Sequence, residues 1–400
     1  VLMGTTLEEK LRLSPKEVTD FNPGKAIALP EQPGRPDSLK MASRDAKVAF
    51  PGVKQLENDE ERGKMLHFLA NHELLATELM ALVLLRFPDA PKEFRMGVFE
   101  TLKEEQAHTL MYMRRMQECG MELGGLPLND YFWRMVAPMD DPMDFVTRLS
   151  LTFEQANLDF SKYYAKLFRE VGDTSTANVL EKIYADEIEH VGHGLKWFQL
   201  WKDGGKTDWE AYTERLSFPL APAKAKGVAP FNKQGRLDAG LDEEFIRHLE
   251  VSEGSRGRTP TVHLFNANAE GYALASKRER AWTPKKAERM LDEDLEMLPM
   301  TWAKKDDVVL VREKPSIEHL QYLQNAGLQQ PEWISPEEDI TDRKLGALRP
   351  WAWSADASKA LKKYAAVTSG KQSMSWREPV ESYWLSKQLG VQLSKQLQPE

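Results

Sequence analysis

Glu104-Glu105-Gln106-Ala107-His108 and Asp186-Glu187-Ile188-Glu189-His190 are the only places in this chain where a carboxylate stands three residues before a histidine. With 62 acidic residues and 8 histidines in 400 positions, about one such pair arises by chance, so a single copy says little. Position makes the two copies informative. Glu73 lies 32 residues before Glu105, and Glu154 lies 33 residues before Glu187. The two halves are offset by 81 residues at the first acid and by 82 at both members of the Glu-x-x-His pair. The chemistry-bearing residues repeat while the sequence around them does not.

All six residues fall in stretches that read as long helices. From Asn58 to Phe87 the pattern is helical, and Pro88 stops it. A second helix opens at Pro91 and runs to Gly120. A short helix around Asp130 to Val136 leads to a third long one, which starts behind Asp140-Asp141-Pro142 and ends at Gly172. Asp173, Thr174 and Ser175 offer caps for a fourth, which runs to about Lys202 ahead of Gly204-Gly205. Four helices of about 30 residues each, in two hairpins, predict a four-helix bundle.

Residues i and i+3 share a helix face, so Glu105 with His108, and Glu187 with His190, each present two donors to one point. Glu73 and Glu154, from the other two helices, complete a set of four carboxylates and two imidazoles. Bundle cores use this arrangement to hold two iron or two manganese ions. Hard oxygen donors with nitrogen favour those metals over thiolate-seeking ones. Glu73 shares its face with Leu66, Leu69, Ala70, Ala76 and Met80, where an unpaired carboxylate would cost several kcal/mol. Glu154 lies on a mixed face with Ser150, Asn157 and Ser161 beside Leu151 and Leu158. The plainer reading makes all six residues solvated helix-surface groups.

Alternates remain for the ligand set. Glu78 and Asp159 each follow Glu73 and Glu154 by five residues and cannot share a face with them. The interval to the Glu-x-x-His pair favours Glu73 and Glu154. His193 is a further alternate, with His72 and Glu189 nearby as supporting or solvated groups. Tyr112 and Tyr184 stand one turn from His108 and Glu187, as packing residues or as redox-active neighbours.

Around the bundle the texture changes. Residues 14 to 57 are rich in Pro and Gly and read as an extended arm. The expected division is an arm over 1–50, a bundle with its C-terminal tail over 51–252, and a smaller α/β domain over 253–400. In the last, Val262–Phe265 and Val308–Val311 are runs of strand type, and Ser316 to Ala326 is a helix closed by Gly327. Ser335 with Glu338 forms a capping box by pattern. Residues 252–260 read as a linker, and LSKQL occurs twice, at 385–389 and 393–397. The fold expectation is mainly α, a four-helix bundle followed by a smaller α/β domain.

Composition narrows the class. Hydrophobic residues make up 41% and charged residues 29%, ordinary for a globular protein. A net charge of −8 with dispersed basic residues argues against a nucleic-acid partner. The single cysteine, Cys119, allows no internal disulfide and fits a reducing compartment. The apolar run Leu79–Leu85 is far shorter than the ~20 residues of a membrane span, and no secretory signal is readable. Cytoplasmic location without a membrane partner is the expectation.

Glu104-Glu105-x-x-His108 and Asp186-Glu187-x-x-His190 resemble the paired motifs of ferritin-like di-iron oxidases, which include acyl-carrier desaturases, multicomponent monooxygenases and ribonucleotide reductase small subunits. More closely, residues 23 to 250 resemble a bacterial ferritin-like family known as domain of unknown function 455. His72-Glu-Leu-Leu-Ala-Thr-Glu78, Phe87-Pro-Asp-Ala-Pro91 and Pro230-Phe-Asn232 carry that resemblance. It implies that Asp186 and Glu104 hydrogen-bond the histidine bound to the opposite metal. Glu104 is one methylene longer than the aspartate of the pattern. From Thr261 onward the chain resembles the domain that precedes the catalytic core of ATP-grasp ligases, through Val262-His-Leu-Phe-Asn266, Asp292 to Pro299, Asp306 to Val311 and Leu348 to Trp353. The chain ends before such a core could fit.

These readings lead to an expected function. A di-iron (or iron–manganese) oxidase or hydroxylase would activate dioxygen for an unknown small-molecule substrate. The alternatives are an iron-handling protein without organic substrate, and an accessory subunit of an ATP-grasp ligase. The C-terminal part would then dock on the bundle or recruit an ATP-grasp or other protein partner.

Overall fold

A computed structural model describes residues 1–12, 18–42, 55–217, 219–253, 259–272, 282–368 and 394–395. The chain is mainly helical and divides into two compact units, Val1–Glu250 and Val251–Glu400. Most of the linker-like stretch 252–260, and nearly all of both LSKQL copies, lie outside the described residues.

The first unit opens with a short helix, α1 (Leu7–Leu11), and a 3-10 turn at Asp37–Leu39. Helix α2 (Asp59–Arg86) is capped by Asn58, whose side chain accepts from Glu60 N. Helix α3 (Lys92–Glu118) starts after Pro91, and Gly120 turns the chain at φ 75°, a conformation that costs glycine little. A short α4 (Tyr131–Val136) leads to the second pair. Helix α7 (Thr174–Trp201) is capped by Asp173, which accepts from Thr176 N. Helix α2 packs along α3, the third long helix packs along α7, and α3 meets α7.

The third long helix is not a uniform α-helix. It begins as α5 (Pro142–Phe145), widens to a π-helix over Val146–Glu154, and continues as α6 (Gln155–Glu170). The wide turn is held by a bond from Gln155 N to Ser150 O and one from Thr152 Oγ1 to Thr147 O at 2.8 Å. Gly194 on α7 lets this segment approach closely: a Cβ there would lie 2.2 Å from Ser150 Cβ. Such widened turns gather at functional sites, and this one ends on Glu154.

The core of the bundle is split. One apolar cluster includes Leu79, Leu102, Leu158 and Val191. A second includes Leu66, Tyr112, Tyr164 and Ile183. On α3 the boundary between them falls at Glu105 and His108, and on α7 at Glu187 and His190. Helix α2 is long and apolar enough to cross a membrane by composition, yet 78% of its most apolar window is buried in this core, where it carries Glu73 and Glu78.

The tail of the first unit comprises α8 (Asp208–Arg215), a 3-10 turn at Pro222–Ala225, α9 (Lys233–Asp238) and α10 (Glu243–Val251). Arm and tail each send a buried arginine into the bundle. Arg35 Nη2 meets Glu78 Oε2 at 2.7 Å, with Lys10 Nζ on Glu78 Oε1 at 2.6 Å. Arg236 grips Asp159 through two bonds of 2.8 and 2.9 Å.

The second unit is a four-stranded parallel sheet of order β3-β2-β1-β4, with β1 at Val262–Leu264, β2 at Val308–Leu310, β3 at Glu332–Ile334 and β4 at Leu348–Pro350. Register pairs Val262 with both Val308 and Leu348. Side chains alternate between faces: Val308 packs toward Leu361 and Tyr364, while Val309 packs toward Leu320 and Trp333. The helix Ile317–Asn325 is capped by Ser316 and closed by Gly327 at φ 80°. The capping-box pattern at Ser335 and Glu338 starts no helix. Glu338 does accept from Ser335 N at 2.9 Å, but Asp339 then accepts from Thr341 N and bends the chain into a turn.

Candidate metal centre

Glu73 on α2, Glu105 and His108 on α3, Glu154 at the end of the π-helix, and Glu187 and His190 on α7 meet in the polar belt between the two apolar clusters. All six are at most 5% exposed. Donor atoms of Glu73, Glu105 and His108 lie within 4.8 Å of one another, and so do those of Glu105, Glu154 and His190. Glu105 belongs to both groups: its Oε2 is 3.7 Å from His108 Nδ1 and its Oε1 is 3.2 Å from His190 Nδ1. Glu187 Oε2 is 3.6 Å from His190 Nδ1.

The orientation of both imidazoles is fixed from outside. His108 Nε2 donates to Asp186 Oδ2 at 2.9 Å, and His190 Nε2 donates to Glu104 Oε2 at 2.8 Å. Each acid reaches the histidine of the other hairpin, and the longer Glu104 spans the gap as well as Asp186 does. With Nε2 occupied, each ring turns Nδ1 inward. Those two Nδ1 atoms, Glu105 Oε2, both oxygens of Glu154 and Glu187 Oε2 are buried with no hydrogen-bond partner. Buried polar atoms left this way cost free energy unless something else meets them. A metal cation is a group that carboxylate oxygens and imidazole nitrogens can meet together.

Protonation shows the same strain. Burial, then the facing Glu105, raises the Glu73 carboxyl well above its usual range. Burial, then Glu187, pushes Glu154 up to about 8. Burial also acts against charge on Glu105, but Glu73 and the two histidines outweigh it and hold that carboxyl well below the usual range. Burial opposes protonation of His108 and His190 too. The carboxylates around them prevail and raise both. Glu73, Glu154, His108 and His190 are thus all driven toward their protonated forms, and Glu105 toward its ionised form.

The alternates sit elsewhere. Glu78 is taken by Lys10 and Arg35. Asp159 is taken by Arg236 and accepts from Asn232 N and Gly227 N. His193 Nε2 accepts from Trp197 Nε1 at 3.2 Å, which makes it a neutral packing residue, and burial lowers its pKa to about 4. His72 lies between the rings of Phe68 and Phe132, with centroids 4.1 and 4.4 Å away. Tyr184 OH accepts from Asn232 Nδ2 and belongs to the Asp159 cluster. Tyr112 is fully buried next to the belt, and burial, then Glu73 and Glu187, keeps its phenol protonated. Sequence reasoning left Asn157 as one polar residue among several. Its Nδ2 donates to Glu187 Oε1 at 2.6 Å.

The fold and site together define a mainly helical protein whose buried Glu/His groups can bind metal ions. Residues 4–247 match the family described as Protein of unknown function (DUF455), and the chain belongs to that family. No curated protein and no solved structure matches the chain.

Proposed function

We propose that the helical unit is a ferritin-like protein holding two iron ions, with manganese as the alternative, and that it activates dioxygen to oxidise or hydroxylate a small-molecule substrate. The supporting observation is the pair of inward Nδ1 atoms facing partnerless carboxylate oxygens in a buried belt. Glu73, Glu105 and His108 would hold one ion, and Glu105, Glu154, Glu187 and His190 the other. Four carboxylates and two imidazoles suit iron or manganese. Two bound ferrous ions would supply electrons for reducing dioxygen.

The chain's own residues set the conditions. Asp186 and Glu104 hold the imidazoles in the tautomer that leaves Nδ1 free to bind, the usual task of such outer partners. The apolar clusters on both sides exclude water, which strengthens every charge interaction within. Tyr112 provides a neutral wall beside the belt.

Oxygen uptake by iron-loaded protein tests the reading. Sustained uptake with an external reductant, raised by an organic substrate and abolished in Glu105→Ala, is the expected result. Uptake that stops once the bound ferrous iron has been oxidised would favour iron handling without organic substrate.

A further inference from the structure

The two halves of the belt repeat their ligands but not their surroundings. At the 81-residue offset, Leu69 corresponds to Ser150, Ala76 to Asn157 and Met80 to Ser161. At the 82-residue offset, Tyr112 corresponds to Gly194. At three of these four positions the Glu73 half carries an apolar side chain where the Glu154 half carries a polar one. One difference touches a ligand directly. Asn157 Nδ2 donates to Glu187 Oε1 at 2.6 Å, whereas Glu105, the counterpart of Glu187, has Ala76 where an amide would be needed.

We infer that Asn157 makes the two metal positions unequal by withholding one oxygen of Glu187. The inference rests on the metal-centre reading and assigns a positioning residue within it. Glu105 presents one oxygen toward each histidine, at 3.2 and 3.7 Å, the disposition of a carboxylate that bridges two ions. Glu187 has only Oε2 free, because Oε1 is spent on the Asn157 amide. It is restricted to one oxygen toward the His190 position. The ion held by Glu105, Glu154, Glu187 and His190 keeps four protein ligands and thus binds first. The ion held by Glu73, Glu105 and His108 is bound second and less tightly, since a bridging oxygen of Glu187 is missing or must be won from Asn157. Outer partners of metal ligands commonly alter affinity ~10–100-fold, so a gap of ~10-fold between the two steps is expected.

Titration of metal-free full-length protein with Co(II), followed by calorimetry and by visible absorption, tests this without turnover. Wild type should show two steps separated by ~10-fold in Kd. Asn157→Ala should tighten the second step toward the first, leave the first unchanged, and alter the absorption of the second ion only. Asn157→Ser, a smaller disturbance to packing, should shift the second step in the same direction. In a Glu187→Ala background, Asn157→Ala should change nothing, because the amide acts through that carboxylate. Two equal steps in wild type, or an unchanged gap in both Asn157 variants, overturns the inference while leaving the metal centre standing. Absence of any Co(II) binding overturns both.

Discussion

Asp186 Oδ2 accepts a hydrogen bond from His108 Nε2 at 2.9 Å, so an acid on α7 orients an imidazole on α3. Lys182 pairs with the same carboxylate from one turn earlier, which keeps Asp186 ionised and in place. Asp186→Asn retains the shape but can present an N–H to the ring, which frees the histidine to flip or change tautomer. Metal affinity should fall ~10–100-fold with thermal stability little changed, as read by competition with a chelator. Unchanged affinity would reduce Asp186 to a partner of Lys182.

Arg236 and Asp159 form a fully buried pair, with side chains 0% and 1% exposed. Arg236→Ala leaves the Asp159 carboxylate without a cation in a dry setting and should cost about 3–5 kcal/mol in denaturant unfolding. Arg35→Ala should cost less, because Lys10 still holds Glu78. Equal small losses would mean that neither arm nor tail is held by its charge.

The ligand spacing, the helix ends and the two hairpins were legible because each has a local signature: period, cap, proline, or a glycine such as Gly120 and Gly172. The π-helix had none: Thr152 bonding to Thr147 O is not a recognisable pattern, and the close approach of Ser150 to Gly194 on α7 joins residues far apart in sequence. The roles of Glu78 and Asp159 were hidden for a related reason. Arg35 precedes Glu78 by 43 residues and Arg236 follows Asp159 by 77, and nothing in the intervening sequence marks either pairing. Strands β3 and β4 escaped notice because neither is an uninterrupted apolar run: β3 opens on Glu332 and β4 holds Arg349 and Pro350, and proline argues locally against a strand.

Stability of the metal-free protein should depend on pH with a definite sign. Glu154 is raised from 4.5 to about 8 in the folded state, by burial and then by Glu187. Between those values the native form holds a proton that the unfolded chain has lost. Its contribution is therefore complete below about pH 4.5 and is lost as pH rises through about 8. Glu73, His108 and His190 are shifted in the same direction, while Glu105 opposes them. The melting temperature without metal should fall between pH 5 and pH 8, less steeply in Glu154→Gln. With Mn(II) present the slope should reverse, because metal binding releases protons. A flat profile in both conditions would contradict the charge account.

The C-terminal unit should bind no Mg-ATP. Phosphate sites rely on glycine-rich backbone after a strand. The residues that follow the four strands here are Phe265-Asn266-Ala267, Val311-Arg312-Glu313, Ser335-Pro336-Glu337 and Trp351-Ala352-Trp353. Asp292, an acid available to a magnesium ion, already accepts from Ala267 N and pairs with Arg312. Calorimetry with Mg-ATP should give no saturable heat at micromolar concentration. Saturable binding would make a ligase role the leading one.

Metal analysis of the purified protein, combined with anomalous scattering from its crystals, decides whether the buried belt is a paired metal centre. Two transition-metal ions per chain are expected, ~3.5–4 Å apart as in other paired sites, between Glu73, Glu105, Glu154, Glu187, His108 and His190. Glu105→Ala and His108→Ala should each lose most of that metal, and Glu78→Ala should keep it. A protein without metal after loading with Fe(II), or ions lost in Glu78→Ala and retained in Glu73→Ala, would mean that these six residues are not the metal ligands.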